Sequence, residues 1–283
     1  MDNTIGQNDS TPAQGSSRKV EDYSSFCAGD IESSLNKRIQ SLISCDKNYI
    51  VYLDDKNGVQ WSWNDAYGDD PPDFAEVASK IGLLETLSAT QLTGKQNELL
   101  ERILAEGMAR IVGEKDQSKA TETLEKAEAY LRTRGGENAR IWYLTGCSVM
   151  AFLTMVIGCL LWLFRGPLTP TVGNGALEVL IGACLGCLGA FLSVLYRSTK
   201  ILVEPAAGRK IHYVEGAARG LAGSLGALLI AFAVKANLVL GIIKSNAYAL
   251  PALLLICFIA GWSEKLVPSF IGRVEVSVSK TPS

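Results

Sequence analysis

Between Ile141 and Phe164 the chain runs for 24 residues without one Asp, Glu, Lys or Arg. At helical rise that is about 36 Å, enough to cross a hydrocarbon core of about 30 Å. Trp142 and Tyr143 stand at one end of the run and Trp162 and Phe164 at the other, where rings with a polar edge favour the lipid–water boundary. Inside lipid the backbone has no water to bond, so such a run is confined to a helix that satisfies its own hydrogen bonds. This run also divides the chain. Residues before it carry most of the acidic groups and residues 141–264 carry nearly all the long apolar stretches, so the formal net charge of −2 describes neither half.

Two further apolar runs follow. Leu177–Tyr196 contains Gly182, Gly186 and Gly189; Gly216–Val234 contains Gly216, Gly220, Gly223 and Gly226. Arg197, Lys200, Arg209, Lys210 and Arg219 lie between them, so the pair reads as a membrane hairpin around a basic loop. Small residues four apart leave smooth helix faces that let backbones approach closely in lipid. The spacing predicts that spans two and three pack within one subunit. A four-span bundle with little interior also favours a homo-oligomer. A fourth span is expected at about 248–262, with Pro251 in its first turns, where it does little harm. The third span either ends near Val234 or continues to Ile243. In the longer version Lys235 and Asn237 line an aqueous path or an interface; in the shorter one Lys235 snorkels to the boundary.

Charge sets the expected orientation. Twelve Lys and Arg flank the faces shared by the N-terminal half, the 197–219 segment and the C-terminal tail, against three on the opposite face. Cytoplasmic loops retain the positive charge, which puts both termini and the middle loop in the cytoplasm. The first residues are polar and lack a charged-then-apolar signal pattern, so 1–20 is expected to be a disordered tail and 265–283 a cytoplasmic one.

The soluble domain is expected at 21–135. Ile31, Leu35, Ile39, Leu42 and Ile43 recur at helical spacing, which predicts a short amphipathic helix over 30–45. Tyr49–Leu53 and Val59–Trp63 flank an Asn57-Gly58 turn and predict one small β-hairpin. Trp61 and Trp63 share a face, either packed on the domain's helices or open for ligand stacking. The acidic turn fails as a calcium loop, because Leu53 falls where the first Asp ligand belongs. Asp73 precedes a helix through Phe74, Val77, Ile81 and Leu84. A helical hairpin is expected over about 97–133, broken at Gly113, and Gly135-Gly136 reads as a hinge before the membrane. The fold class is therefore mostly α: a four-helix transmembrane bundle with spans at about 141–164, 177–196, 216–234 and 248–262, behind an N-terminal cytoplasmic α-rich domain.

Chemistry is sparse. The seven cysteines form no framework, and Cys184 and Cys187, though spaced as a CxxC pair, lack a second pair of metal ligands. His212 has Glu215 three residues on, the spacing of a surface pair rather than a catalytic dyad. Gly208-Arg-Lys lacks the first glycine of a phosphate loop. No catalytic residue, cofactor or metal is expected, nucleic acid is not an expected partner, and no charge lies at the centre of a span, which counts against a coupled transporter.

The segment Ala260-Gly-Trp-Ser-Glu264-Lys-Leu-Val-Pro268 resembles the Gly-aromatic-Ser-Glu-basic-x-Val-Pro tail of a family of four-span bacterial inner-membrane proteins. Ser193-Val-Leu-Tyr-Arg197 is similar to the end of their glycine-rich span, and Ala127–Arg132 with Ala139–Tyr143 is similar to their approach to the first span. The resemblance covers about 100–270. It implies a bacterial inner membrane, and some such proteins act as membrane-breaching effectors in phage defence. Ser263 and Glu264 would then cap or pair the inner end of the bundle. The sequence thus supports an oligomeric channel-like effector whose cytoplasmic domain senses a protein or small-molecule signal. The alternative is an anchored interaction protein without a pore.

Overall fold

The structure, a computed structural model, describes residues 22–71, 73–198, 204–236 and 249–263. The expectations for the tail 1–20, for Asn237, for Glu264 and for the tail 265–283 concern residues outside this set. Among the described residues the protein is mostly helical, with seven α-helices and one four-stranded antiparallel sheet. The strands are β1 (Ile31–Glu32), β2 (Lys37–Cys45), β3 (Tyr49–Asp54) and β4 (Val59–Trp63). The helices are α1 (Phe74–Gln91), α2 (Lys95–Glu114), α3 (Gln117–Leu163), α4 (Arg165–Val172), α5 (Asn174–Arg197), α6 (Arg209–Lys235) and α7 (Ala249–Trp262). Three of them, α3, α5 and α6, are long and apolar enough to cross a membrane; α7 is apolar but shorter. The chain divides into two compact units, Met1–Glu85 with Gly94–Glu128, and Thr86–Thr93 with Ala129–Ser283.

In the first unit the strands form a meander in the order β1-β2-β3-β4. The helix expected over 30–45 is two strands, and the physical reason lies in β2. Register shifts between Ile39 and Ser41, and between Leu42 and Ser44, each place an extra β2 residue opposite β3. A bulge of this kind changes the side-chain period locally from two to three. Ile39, Leu42 and Cys45 therefore share one face, against Tyr23, Ile50 and Tyr52, and their spacing imitates a helix. The predicted hairpin is present as β3 and β4, inside a larger sheet than expected.

The other face of the sheet, with Val51 and Leu53 of β3 opposite Trp61 and Val59 of β4, receives α2. Leu100, Leu104, Met108 and Ile111, at helical spacing along α2, are fully buried. Gly113 does not break the helical hairpin; it lies inside α2, which ends at Lys115 in a left-handed conformation (φ 53°). Its smallness is required by packing, since a Cβ there would overlap the Tyr49 hydroxyl and stand 3.0 Å from Tyr49 Cζ.

In the second unit α5 packs on both α6 and α7, and α6 packs on α7. The basic loop is shorter than expected, because Arg209, Lys210 and Arg219 belong to α6. Gly135 and Gly136, expected as a hinge, both lie within α3. Arg165–Val172 is a short helix with Pro170 inside it. Pro167 falls in its first turn, where a proline's missing N–H has no helical partner to lose.

Candidate functional site

The predicted packing glycines of the second unit serve four helices, not two. Gly186 of α5 is where three meet. A Cβ there would overlap Ala227 Cβ of α6 and lie 2.6 Å from Gly223 O, and a Cβ at Gly261 of α7 would lie 2.6 Å from Gly186 C. Gly223 in turn is closed by Ala190 and Gly186 O, the latter at 2.8 Å from its would-be Cβ. Gly182 and Gly189 face α7: a Cβ there would lie 2.8 Å from Cys257 Sγ and 2.9 Å from the Trp262 backbone nitrogen, respectively. Gly216 faces α3, where a Cβ would lie 2.9 Å from the Cys147 nitrogen, and a Cβ at Gly220 would lie between Met150 Cγ of α3 (2.9 Å) and Cys187 Sγ of α5 (3.0 Å). Real Cβ contacts are not this short. Where the neighbour is backbone, as at Gly186, Gly189, Gly216, Gly223 and Gly261, a methyl group would push two helices apart, whereas at Gly182 and Gly220 it would displace side-chain atoms. Gly261 is the residue that sequence reading missed as a packing position; its signal was its place in the tail motif, next to Trp262.

Lys235 ends α6 and is ion-paired with Glu178 in the second turn of α5, with side chains 39% and 24% exposed. Each charge sits at the helix end whose dipole favours it. The sequence offers Lys235 either a path or interface or a snorkelling position, and does not connect it to Glu178, because the two are 57 positions apart.

At the other end of the α5–α6–α7 group lies an open cleft of about 380 Å³. Small residues form its floor: Ala190 from α5, Ala222, Gly223 and Gly226 from α6, Ala260 and Gly261 from α7. Leu225 and Leu229 extend along it, and Arg219 and Ser263 line it as well. Ser263 N bonds Ile259 O at 2.9 Å, continuing the helical pattern one residue past α7.

His212 is not on the surface. Its ring is 1% exposed, lies against the Trp142 ring at 6.3 Å with planes 21° apart, and reaches Glu215 Oε2 through Nδ1 at 3.5 Å. Its Nε2 is buried without a hydrogen-bond partner. Cys184 and Cys187 do not form a pair of ligands: Cys184 packs at Gly158 of α3 and Cys187 at Gly220 of α6. Among the described residues no group of three or more His, Cys, Asp or Glu is placed to hold a metal ion.

In the first unit, Asp54 closes the 54–58 turn. Its carboxylate accepts from Lys56 N (3.0 Å) and Gly58 N (2.8 Å) on one oxygen, and from Lys37 Nζ (2.9 Å) and Gln60 Nε2 (3.2 Å) on the other. Burial alone would raise its pKa, but the Lys37 and backbone donors outweigh that and hold it below the usual carboxylate range. Glu32 is fully buried and accepts from Ser34 Oγ and Leu35 N. Burial pushes the Tyr52 phenol up, with Glu32 and Asp54 nearby adding to the effect. Trp61 and Trp63 pack against α1 and its approach: both rings meet Phe74 edge-on, at 5.9 and 5.1 Å, and Trp63 stacks on Tyr67 at 5.5 Å. A separate open groove of about 290 Å³ runs between β2 and α2, lined by Ser44, Tyr49, Glu106, Arg110 and Glu114 among others.

No protein-family model, curated protein or solved structure matches this chain.

Proposed function

We propose that the protein is a membrane-anchored interaction protein, in which α5, α6, α7 and the apolar part of α3 hold a ligand-receiving domain at the cytoplasmic face of a bacterial inner membrane. The observation that carries this reading is the closure at Gly186. Three helices meet there at backbone distance, which closes the space between them at that level. The Lys235–Glu178 pair supports the same reading, since it satisfies within one subunit the charge that a pore reading would use. In this reading the span count is four, both termini are cytoplasmic, and the groove between β2 and α2 receives the partner. Its mixed lining of Glu106, Arg110, Glu114 and Tyr49 suits a polar peptide segment or a small polar molecule.

A second reading, the oligomeric channel-like effector, draws on one observation. Phe152, Leu153, Val156, Leu160 and Leu163 of α3 are left uncovered in a single copy. Lipid or further subunits would cover them equally well. Ion flux separates the two readings. Full-length protein reconstituted in sealed, dye-loaded liposomes should release no more ion than empty liposomes, at a density where a channel control empties them. Flux above that level overturns the anchor reading in favour of the pore.

A further inference from the structure

We propose that the cleft between α6 and α7 is a binding site for an anionic phospholipid of the cytoplasmic leaflet, with the lipid phosphate at Arg219 and an acyl chain along Leu225 and Leu229. The inference rests on the membrane orientation proposed above.

The geometry has three parts. First, the level in the membrane is marked by aromatic rings. Tyr196 at the end of α5 and Trp262 at the end of α7 approach to 6.1 Å between ring centres, and Tyr196 is 80% exposed. Rings of this type settle at the headgroup boundary. Ser263 follows Trp262 directly, so the polar end of the cleft lies at headgroup level.

Second, the length fits one leaflet. From Arg219 to Leu229 the helix rises about 15 Å, half of a hydrocarbon core of about 30 Å. Leu225 and Leu229 are 63% and 47% exposed, so they present an apolar wall to whatever lies in the cleft. The floor of alanines and glycines presents little side-chain relief to an acyl chain lying in the cleft.

Third, the charge is complementary. The Arg219 guanidinium lines the cleft and carries a fixed positive charge. Its five donors in a planar fork let it hold a phosphate while also bonding neighbours in its own chain, and basic pockets between membrane helices on the cytoplasmic side hold anionic headgroups for this reason. The Ser263 hydroxyl adds a donor at the same end.

The test is native mass spectrometry of the full-length protein in detergent. Phosphatidylglycerol and phosphatidylcholine with identical acyl chains are added in equal amounts. The wild type should retain several-fold more phosphatidylglycerol. Arg219→Gln should bring the two lipids to equal retention. Ala222→Phe, which fills the cleft and leaves the arginine in place, should lower phosphatidylglycerol retention to the same level. Arg209→Gln, at the start of α6, should leave the preference intact. Equal retention by the wild type overturns the proposal, and so does a preference that persists in either folded cleft variant. None of these readings depends on which way the protein is inserted, so failure here is distinct from failure of the orientation. That is tested by labelling Arg165→Cys and Glu204→Cys, each in a background with the seven native cysteines replaced, with a membrane-impermeant reagent.

Discussion

Lys235, the last residue of α6, is ion-paired with Glu178 near the start of α5, joining the open ends of a helical hairpin. Both side chains keep partial exposure, so the contribution is that of a boundary ion pair, about 1 kcal/mol or less. Lys235→Glu should lower the thermal midpoint of the purified protein by a few degrees. Combining it with Glu178→Lys should restore most of that loss. A double variant no more stable than Lys235→Glu alone would show that the pair contributes nothing.

Gly186 and Gly136 make opposite predictions for the same kind of change. Gly186→Leu has no space between α6 and α7 and should cost about 3 kcal/mol or more, the upper range of overpacking. Gly136 has nothing within 4 Å of its would-be Cβ and lies inside α3. Gly136→Ala should therefore stabilise α3 by up to about 1 kcal/mol through helix propensity. Thermal unfolding in detergent reads both. A hinge at this position would predict loss of function from Gly136→Ala; the helix predicts none.

Gly113→Ala should destabilise the first unit by about 1–3 kcal/mol, because the added methyl meets the Tyr49 ring. Tyr49→Phe removes the hydroxyl, the atom nearest the glycine. Gly113→Ala should therefore cost less in a Tyr49→Phe background than alone. Equal cost in both backgrounds, read by hydrogen exchange at peptides covering α2, would remove Tyr49 as the cause.

Asp54 ties the stability of the sheet to pH. Its folded pKa lies below the unfolded value. Its contribution is therefore complete above the unfolded carboxylate range of about 4, and is lost as pH falls through the lower folded value. Asp54→Asn turns donors toward Lys37 and Gln60 and should cost about 1–3 kcal/mol at neutral pH. It should also flatten the loss of β3–β4 protection below about pH 4. Hydrogen exchange over residues 49–63, compared with the wild type at each pH, checks both effects. An unchanged acid profile in Asp54→Asn would assign the acid sensitivity to another carboxylate.

The apolar runs were legible because length and the absence of charge leave a backbone few options. Ile141–Phe164, the two glycine-rich runs and the short run before Trp262 all became helices for that reason. Composition alone settled that much, along with the β3–β4 turn, whose Asn57-Gly58 pair supplies the positive φ that the turn uses at Asn57.

Partnership was not legible. The glycine spacing of α5 and α6 suggested a two-helix seam, yet Gly182 and Gly189 face α7 and Gly216 faces α3. A four-residue spacing states that a face is smooth but not what lies against it. The same limit hid the Glu178 partner of Lys235, and the buried place of His212 against Trp142. In β2 the limit was sharper: two bulges gave a strand the apolar spacing of a helix, and only pairing with β3 distinguished them. Local chemistry determined which segments are helical and apolar. Tertiary contact decided register, partners and the burial of polar groups, because these depend on atoms that are distant in sequence and meet only once the chain is folded.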